Sequence, residues 1–207
     1  MTDDLVLYTN PMSRGRIARW MLEETGAPYR TEILAYGPEM RSPAYLAVNP
    51  LGKVPAITHR GATVTECAAI CAYLADAFPD AGLAPAPADR AAYYRWLFFA
   101  SGPLESAIIN SSLGVEVPEE KRGMVGYRAL PDMLGALEGA LTGTEHIAGD
   151  AFSAADIYVG AQIGWGLRFG TIGERPAFRA YWDRIGARPA YLRATALDDA
   201  ATPAAPA

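Results

Sequence analysis

The sequence has little of the chemistry that marks metal enzymes, hydrolases and secreted proteins. Only two histidines and two cysteines occur among 207 residues. His59 and His146 alone make no metal-ligand cluster and suggest no Ser-His-Asp triad. Cys67 and Cys71 stand four residues apart in a helical pattern, which is poor geometry for a disulfide. We therefore expect two reduced thiols in a cytoplasmic protein, with no metal cofactor.

Long apolar runs and an excess of positive charge are missing as well. No run of apolar residues approaches the length of a membrane span, so we expect no membrane partner. The opening Met-Thr-Asp-Asp lacks the basic region of a signal peptide. A net charge of −5 argues against nucleic acid as a partner, although three arginines (Arg14, Arg16 and Arg19) cluster early in the chain. A hydrophobic content of 51% predicts a folded globular protein.

The first half of the chain alternates between strand and helix patterns. The predicted strands are 5–8, 29–33, 54–58 and 62–64. Helical spacing runs from Ser13 to Gly26, in a short segment at 43–48, and through an amphipathic stretch at 66–78. This half therefore predicts an α/β domain over residues 1–78.

The second half of the chain has helical patterns and no predicted strand. Residues 79–89 hold three prolines and predict a linker. Helical patterns follow at 90–110, 119–141, 153–168 and 176–188. The Ala/Pro-rich tail at 195–207 is expected to fray. We thus predict an all-α domain over 90–194, with Ser153 and Asp156 forming a capping box inside it.

A proline opens the third predicted strand, in the segment N-P-L-G-K-V-P at 49–55. If the Val54–Pro55 bond is cis, the Val54 backbone is turned outward and left to pair with a ligand's backbone. If the bond is trans, Pro55 simply begins an edge strand. Spacing alone leaves both interpretations open.

The segment T-E-C at 65–67 opens the helix at 66–78. Backbone N–H groups at a helix start attract anions, and the Glu66 carboxylate would accept a hydrogen bond from an ammonium group. An α-amino acid end carries both charges and would suit this position. Simple helix capping by Thr65 explains the same pattern without a ligand.

The segment N-P-M-S-R at 10–14 leads from a strand into a helix. Ser13 lies near the helix N-terminus, where a hydroxyl donor and the local positive potential would lower the pKa of a bound thiol. An N-cap serine without a ligand is the plain alternative. In the second half, Tyr94, Phe98 and Ser101 belong to an aromatic helix that packing alone also explains.

Taken together, these segments resemble the cytosolic glutathione S-transferase family, over nearly the whole chain. The residues that carry the resemblance are 49–55, the run T-E-C-A-A-I-C-A-Y-L at 65–74 and F-S-A-A-D-I at 152–157. The family implies a thioredoxin-like N-terminal domain, an all-helical C-terminal domain and a homodimer. The closest pattern is that of bacterial, serine-type, theta-like members.

The resemblance also implies a role for each matching position, with glutathione as the co-substrate. The backbone of Val54, after a cis Pro55, should pair with the cysteinyl part of glutathione. Glu66 and Cys67 should hold its γ-glutamyl end, and Lys53 should lie near its glycine carboxylate. Two further roles concern the sulfur and the second substrate. Ser13 should stabilise the thiolate, and the electrophile should contact Met12, Tyr94, Phe98 and Ser101.

Two departures from the family pattern leave alternatives. Cys67 stands where a serine is usual, and a thiol is the weaker hydrogen-bond donor. The turn holds no cysteine, so Ser13 competes with Asn10, and more weakly with Tyr8, for the sulfur. The expected function is conjugation of glutathione to small, largely apolar electrophiles. Glutathione-dependent reduction of disulfides or peroxides, and a non-catalytic binding or stress protein, are the alternatives.

Overall fold

A computed structural model of the protein describes residues 4–202. These residues form two compact units. One extends to Leu83 and resumes at Arg188, and the other is Ala84–Ala187. The first boundary falls inside the predicted linker 79–89, which contains two single-turn 3-10 helices, Pro79–Ala81 and Pro87–Asp89.

The first unit is built on a four-stranded mixed sheet. Its strands are β1 (Val6–Thr9), β2 (Arg30–Ile33), β3 (Ala56–His59) and β4 (Ala62–Thr65), in the order β2-β1-β3-β4. β1 and β2 are parallel, whereas β3 runs antiparallel to both β1 and β4. All four predicted strands are confirmed, with small shifts at their ends. The central strands β1 and β3 are mostly buried, whereas no residue of β2 or β4 is buried.

Three helices of this unit follow the strands along the chain: α1 (Gly15–Thr25), α2 (Pro43–Leu46) and α3 (Cys67–Ala77). The apolar stripe of α1 buries Ile17, Trp20 and Met21 completely, and α3 contributes Ile70 and Leu74 to the core. Burial of such side chains is worth roughly 1.5–3 kcal/mol each, so the packed stripe holds α1 in place. This is the thioredoxin-like α/β architecture that the sequence predicts.

The second unit is helical, as predicted, but two of its predicted helices are interrupted. Its helices are α4 (Ala91–Phe99), α5 (Glu105–Ser112), α6 (Leu130–Leu141), α7 (Ala154–Phe169) and α8 (Pro176–Ile185). The predicted helix 90–110 contains a π-helical turn, Ala100–Leu104, because Pro103 has no N–H to donate. The predicted helix 119–141 begins as a 3-10 segment, Glu119–Met124, and becomes α-helical only at Leu130.

The capping box at the start of α7 is confirmed. The buried Asp156 carboxylate accepts from Ser153 N (2.9 Å), from Ile147 N (2.8 Å) and from the hydroxyl of Tyr181 (2.7 Å). Burial, with the nearby Asp156 charge, raises the pKa of Tyr181 well above its usual value. Asp156 is thus a structural anchor, as its sequence pattern indicates.

The end of the chain departs from the prediction. A further helix, α9 (Pro189–Ala200), belongs to the first unit, so the predicted helical domain 90–194 and flexible tail 195–207 are wrong for the described residues. Pro189 occupies the first turn of α9, where proline is favoured, instead of only ending α8. α9 packs on α1, and its Asp198 is completely buried in an ion pair with Arg19 (2.8 Å). Residues 203–207 lie outside the described part.

Within residues 4–202, no helix has both the length and the apolar content needed to cross a membrane.

Candidate functional site

Three segments singled out in the sequence meet at one end of the sheet. Tyr8, near the end of β1, pairs with Ala56 at the start of β3, and Ala56 pairs with Thr65 at the end of β4. Three segments therefore lie at the same end of the sheet: the turn at 10–14, the loop at 49–55 and the start of α3. A direct contact joins two of them, because Cys67 Sγ lies 3.5 Å from the carbonyl oxygen of Arg14.

Asn10 organises the 10–14 turn. Its amide nitrogen donates to Leu34 O (2.8 Å), and its side-chain oxygen accepts from Met12 N (2.9 Å). The side chain is buried, with 8% of the residue exposed. Asn10 thus ties the turn to the chain that follows β2, and both ends of its amide take part in that structure.

Ser13 is the more accessible of the two candidate sulfur contacts. Its Oγ donates to Asn10 O (2.6 Å) and accepts from Gly15 N (2.9 Å), and its residue is half-buried. Asn10 O also accepts from the backbone N–H of Ser13 (3.1 Å). The hydroxyl hydrogen can therefore turn to another acceptor while Asn10 O keeps a hydrogen-bond partner.

The start of α1 lies against β1 and leaves no room for a side chain at Gly15. A Cβ at this position would lie 1.8 Å from Thr9 Oγ1 and 3.0 Å from Ser13 Oγ. Thr9 is completely buried, so it has little freedom to move away. Glycine at position 15 lets the helix begin directly behind the turn.

The loop before β3 is held by two side chains on one carbonyl. The Tyr45 hydroxyl (2.5 Å) and the Asn49 amide (2.8 Å) both donate to Lys53 O. Desolvation by burial is the main cause that raises the pKa of Tyr45 from its ordinary value near 10 to about 12. The Val54–Pro55 peptide bond is cis, as the family resemblance implies. Val54 is half-buried and Pro55 is buried, whereas the Lys53 side chain is exposed.

Glu66 adopts a backbone conformation that is rare for residues other than glycine. Its φ of 64° and ψ of 114° precede the first residue of α3, and its side chain is exposed and caps no N–H group of the helix. Such conformations cost roughly 1–3 kcal/mol and cluster at ligand sites. The simple capping interpretation is wrong, because Thr65 is the last residue of β4 and Glu66, not Thr65, directly precedes α3. The Glu66 carboxylate projects from a strained position beside the helix N-terminus.

Cys67 is buried, and neither Cys67 nor Cys71 is in a disulfide, as predicted. Because Cys67 Sγ donates to Arg14 O, the thiol links the start of α3 to the start of α1. The sequence did not indicate this connection.

The remaining predicted site residues are divided between the two units. Tyr8 is half-buried with its ring 5.7 Å from that of Tyr45. Met12 is 68% exposed in the first unit, and its carbonyl accepts from Tyr36. In the second unit, Tyr94 and Phe98 are exposed on α4 and Ser101 is half-buried in the π-helical turn.

Three residues at the site were not predicted: Tyr45, Asn49 and Gly15. Asn49 opens the N-P-L-G-K-V-P segment, and an asparagine directly ahead of a proline is a sequence signal for a turn or loop. The other two roles depend on contacts across the fold. Among the described residues, no group of three or more histidine, cysteine or acidic side chains is arranged to hold a metal ion.

Comparison with family models gives two matches. Residues 12–77 match the model described as glutathione S-transferase, N-terminal domain, and residues 109–189 match the model for the C-terminal domain of the same family. The first match contains Ser13, the cis-proline loop and Glu66, and the second contains the Asp156 capping box.

Several relatives match nearly the whole chain. Maleylacetoacetate isomerase from Pseudomonas aeruginosa is 31% identical over 97% of this chain and 99% of the relative. A sphingomonad glutathione S-transferase structure, complexed with glutathione, is 31% identical with a TM-score of 0.74, covering 94% of this chain and 98% of its own. A bacterial beta-class enzyme from Sphingomonas chungbukensis has the same identity and TM-score over 93% and 98%.

Proposed function

The chain belongs to the glutathione S-transferase family and is a glutathione transferase, and on that premise we propose that its 10–14 turn holds the sulfur of glutathione as a thiolate. The thiolate attacks an electrophilic carbon of a small, largely apolar substrate. A carbon–sulfur bond forms while the leaving group departs with its electron pair. The observation that carries this proposal is the meeting of the turn, the cis-proline loop and Glu66 at one end of the sheet.

Ser13 is the residue we assign to the sulfur. Its hydroxyl hydrogen can leave Asn10 O at low cost, because the Ser13 N–H still bonds that oxygen. Asn10 is less suited, because its amide is buried (8% exposed), is held by its bonds to Leu34 O and from Met12 N, and has only its second N–H left to donate. The α1 N-terminus begins two residues after Ser13 and adds positive potential that favours the thiolate.

In this proposal, the cysteinyl and glycine residues of glutathione bind at that same end of the sheet. The Val54 backbone, just ahead of β3, pairs with the cysteinyl residue as an added strand. The exposed Lys53 ammonium faces the glycine carboxylate. Tyr45 and Asn49 keep this loop in position by holding Lys53 O.

The γ-glutamyl end carries both an ammonium group and a carboxylate. We assign the ammonium to Glu66 and the carboxylate to the backbone N–H groups at the start of α3, next to Cys67. The Cys67 thiol already donates to Arg14 O and is a weak donor, so the backbone and Glu66 supply most of the binding.

The family resemblance implies four contacts for the second substrate. Met12 leaves a large apolar surface to solvent in the first unit, Tyr94 and Phe98 do so in the second, and Ser101 lies on the π-helical turn. Proximity to the thiolate supplies the rate enhancement, and no general base is required. We further propose a homodimer in the cytoplasm, which the family and the reduced thiols support.

A second candidate activity is cis–trans isomerisation of an unsaturated diketo acid. The full-length relative named maleylacetoacetate isomerase favours it. A thiolate would add to the double bond, the resulting single bond would rotate, and the thiolate would leave again. The same bound thiolate at Ser13 would serve both reactions, so glutathione would be a catalyst in one and a substrate in the other.

Three assays on one preparation separate the activities. These are conjugation of a chloronitrobenzene, isomerisation of maleylacetoacetate and glutathione-dependent reduction of hydroxyethyl disulfide. We expect thioether formation to be the main reaction. Isomerisation without conjugation would move the assignment to the second candidate, and disulfide reduction alone would contradict both.

Retention on immobilised glutathione tests the binding site. We expect Glu66→Ala to abolish retention, because the ammonium of the γ-glutamyl group loses its carboxylate partner. Asp80→Ala is the matched control, since Asp80 is an exposed carboxylate beyond the opposite end of α3. Equal retention of the two variants would contradict the assigned site.

A further inference from the structure

The first three backbone carbonyls of the 10–14 turn accept hydrogen bonds from side chains. Asn10 O accepts from Ser13, and Met12 O accepts from the Tyr36 hydroxyl (3.1 Å). Pro11 O accepts from Arg16 Nε at 2.6 Å. Proline has no N–H, so this carbonyl is the only backbone group through which Pro11 can be held. Its donor is charged, and such bonds are about twice as strong as neutral ones.

Arg16 uses a second nitrogen of the same guanidinium on α9. Its Nη2 donates to Asp199 Oδ1 at 2.6 Å. The Arg16 side chain is mostly buried, with 19% exposed, whereas that of Asp199 is 62% exposed. A planar guanidinium bonded through two of its nitrogens to two different partners has a fixed orientation, which an ammonium group on a flexible chain does not reproduce.

α9 is itself fixed against α1 by a series of ion pairs. Arg19 pairs with Asp198, Glu23 with Arg193 (3.1 Å), and Glu24 with Arg188 (2.6 Å). The order of the partners shows that the two helices run antiparallel. Each ion pair therefore restricts the sliding of α9 along α1, and Asp199 reaches Arg16 from a defined position.

Asp199 occupies an unfavourable place for an acid. It lies in the last turn of α9, where no basic residue is present and the helix dipole disfavours negative charge by roughly 0.3–1 kcal/mol. Replacing the carboxylate by an amide would therefore relieve this repulsion while it weakens the bond to Arg16. Because the ion pair is largely exposed on the Asp199 side, the two effects on stability roughly offset each other, whereas the orientation of Arg16 is lost, which makes Asp199 a useful probe.

We infer that Arg16 is a positioning residue for the thiol site, oriented by Asp199. Arg16 fixes the Pro11 carbonyl and with it the turn that presents Ser13, and α9 thereby contributes to the chemistry without touching glutathione. The inference rests on the proposed function, in which this turn stabilises the thiolate. If Arg16 only attached α9 to α1, its replacement would change stability and leave the bound thiol unaffected.

The test uses three variants of the full chain. Arg16→Lys keeps the positive charge but loses the orientation that two guanidinium nitrogens provide, and Asp199→Asn removes the orienting charge at an exposed position. Arg193→Gln is the matched control, because it breaks another α1–α9 ion pair that does not reach the turn. For each, thiolate absorbance of bound glutathione is titrated against pH, binding of S-methylglutathione is measured by calorimetry, and thermal unfolding is recorded.

We expect Arg16→Lys and Asp199→Asn to raise the pKa of the bound thiol and to lower kcat/KM near pH 7 by up to about tenfold, as one pKa unit would. Binding of S-methylglutathione, which has no thiol to ionise, should be unchanged. Arg193→Gln should leave the thiol titration as it is in the unmodified protein. These results, with Asp199→Asn at undiminished thermal stability, would support a positioning role.

Two results overturn the inference in different ways. If the unmodified protein lowers the thiol pKa and both variants match it, Arg16 only attaches α9 and the proposed function stands. If the unmodified protein does not lower the thiol pKa, the proposed function fails and the inference fails with it.

Discussion

Ser13→Ala is the substitution that bears most directly on the proposed chemistry. A hydrogen bond to a charged group contributes about 1.5–3 kcal/mol. One pKa unit corresponds to about 1.4 kcal/mol, so losing the hydroxyl should raise the pKa of bound glutathione by roughly one to two units. A conjugation rate limited by thiolate concentration should then fall about 10- to 100-fold near pH 7, and recover as the pH rises.

The same substitution has a structural cost that the assay must separate. Ser13 Oγ accepts from Gly15 N at the start of α1, and loss of such a contact costs about 1 kcal/mol. For a chain of this size that corresponds to roughly 2–4 °C in Tm. Glutathione affinity should change little, because Ser13 contacts only the sulfur. The rate is therefore measured at saturating glutathione, over a range of pH and well below the Tm.

Two companion variants decide the outcome. Ser13→Thr keeps a hydroxyl and should restore most of the rate. Asn10→Ala loses the bonds to Leu34 O and from Met12 N, so it should lower stability more than it shifts the thiol titration. The reasoning is refuted if Ser13→Ala titrates like the unmodified protein, or if Asn10→Ala shifts the thiol pKa more than Ser13→Ala does.

Three further predictions concern residues that hold the turn and the cis-proline loop in position. Gly15→Ala should lower the Tm strongly and slow conjugation, because its Cβ meets Thr9 Oγ1, and adding Thr9→Ala should restore part of both; no rescue would contradict the steric account. Asn49→Ala should destabilise by about 2 kcal/mol, since it loses two partly buried hydrogen bonds, one of them to Lys53 O, and chemical denaturation measures this. The pKa of Tyr45 is raised from 10 to about 12, so the folded state holds this proton more tightly than the unfolded state does; the resulting stability is complete below pH 10 and is lost as pH rises to about 12. Tyr45→Phe should flatten that decline in alkaline denaturation curves, and an unchanged slope would assign it to other groups.

Much of the first unit is predictable because its signals are local. The alternation at β4, the buried runs at β1 and β3 and the apolar stripe of α1 each lie within one segment. Gly and Pro mark the ends of these segments. The cis peptide at Pro55 came from the family resemblance and not from spacing, which allowed both isomers.

The end of the chain was mispredicted because its stabilising contacts are distant in sequence. Ala-rich composition with a nearby proline is compatible with either a frayed tail or a helix that begins at that proline. The choice is made by partners on α1, such as Arg19 for Asp198 and Glu24 for Arg188. No periodicity within residues 189–200 reveals those partners.

The choice between Ser13 and Asn10 also lay beyond the sequence. Both are polar residues in one turn, and either side chain could contact a sulfur. The two residues differ in the hydrogen bonds that they already make. The Asn10 amide joins the turn to Leu34 O, whereas the Ser13 hydroxyl and the Ser13 backbone N–H donate to the same acceptor, Asn10 O. Such a difference exists only once the turn is folded.

A crystal structure of the chain with glutathione bound is the measurement that tests the central claim most directly. The account predicts the glutathione sulfur within hydrogen-bond distance of Ser13 Oγ, with the cysteinyl backbone paired to Val54 and the γ-glutamyl ammonium on Glu66. A sulfur in contact with Asn10 or Tyr8 instead of Ser13, or a γ-glutamyl group away from Glu66, would contradict it.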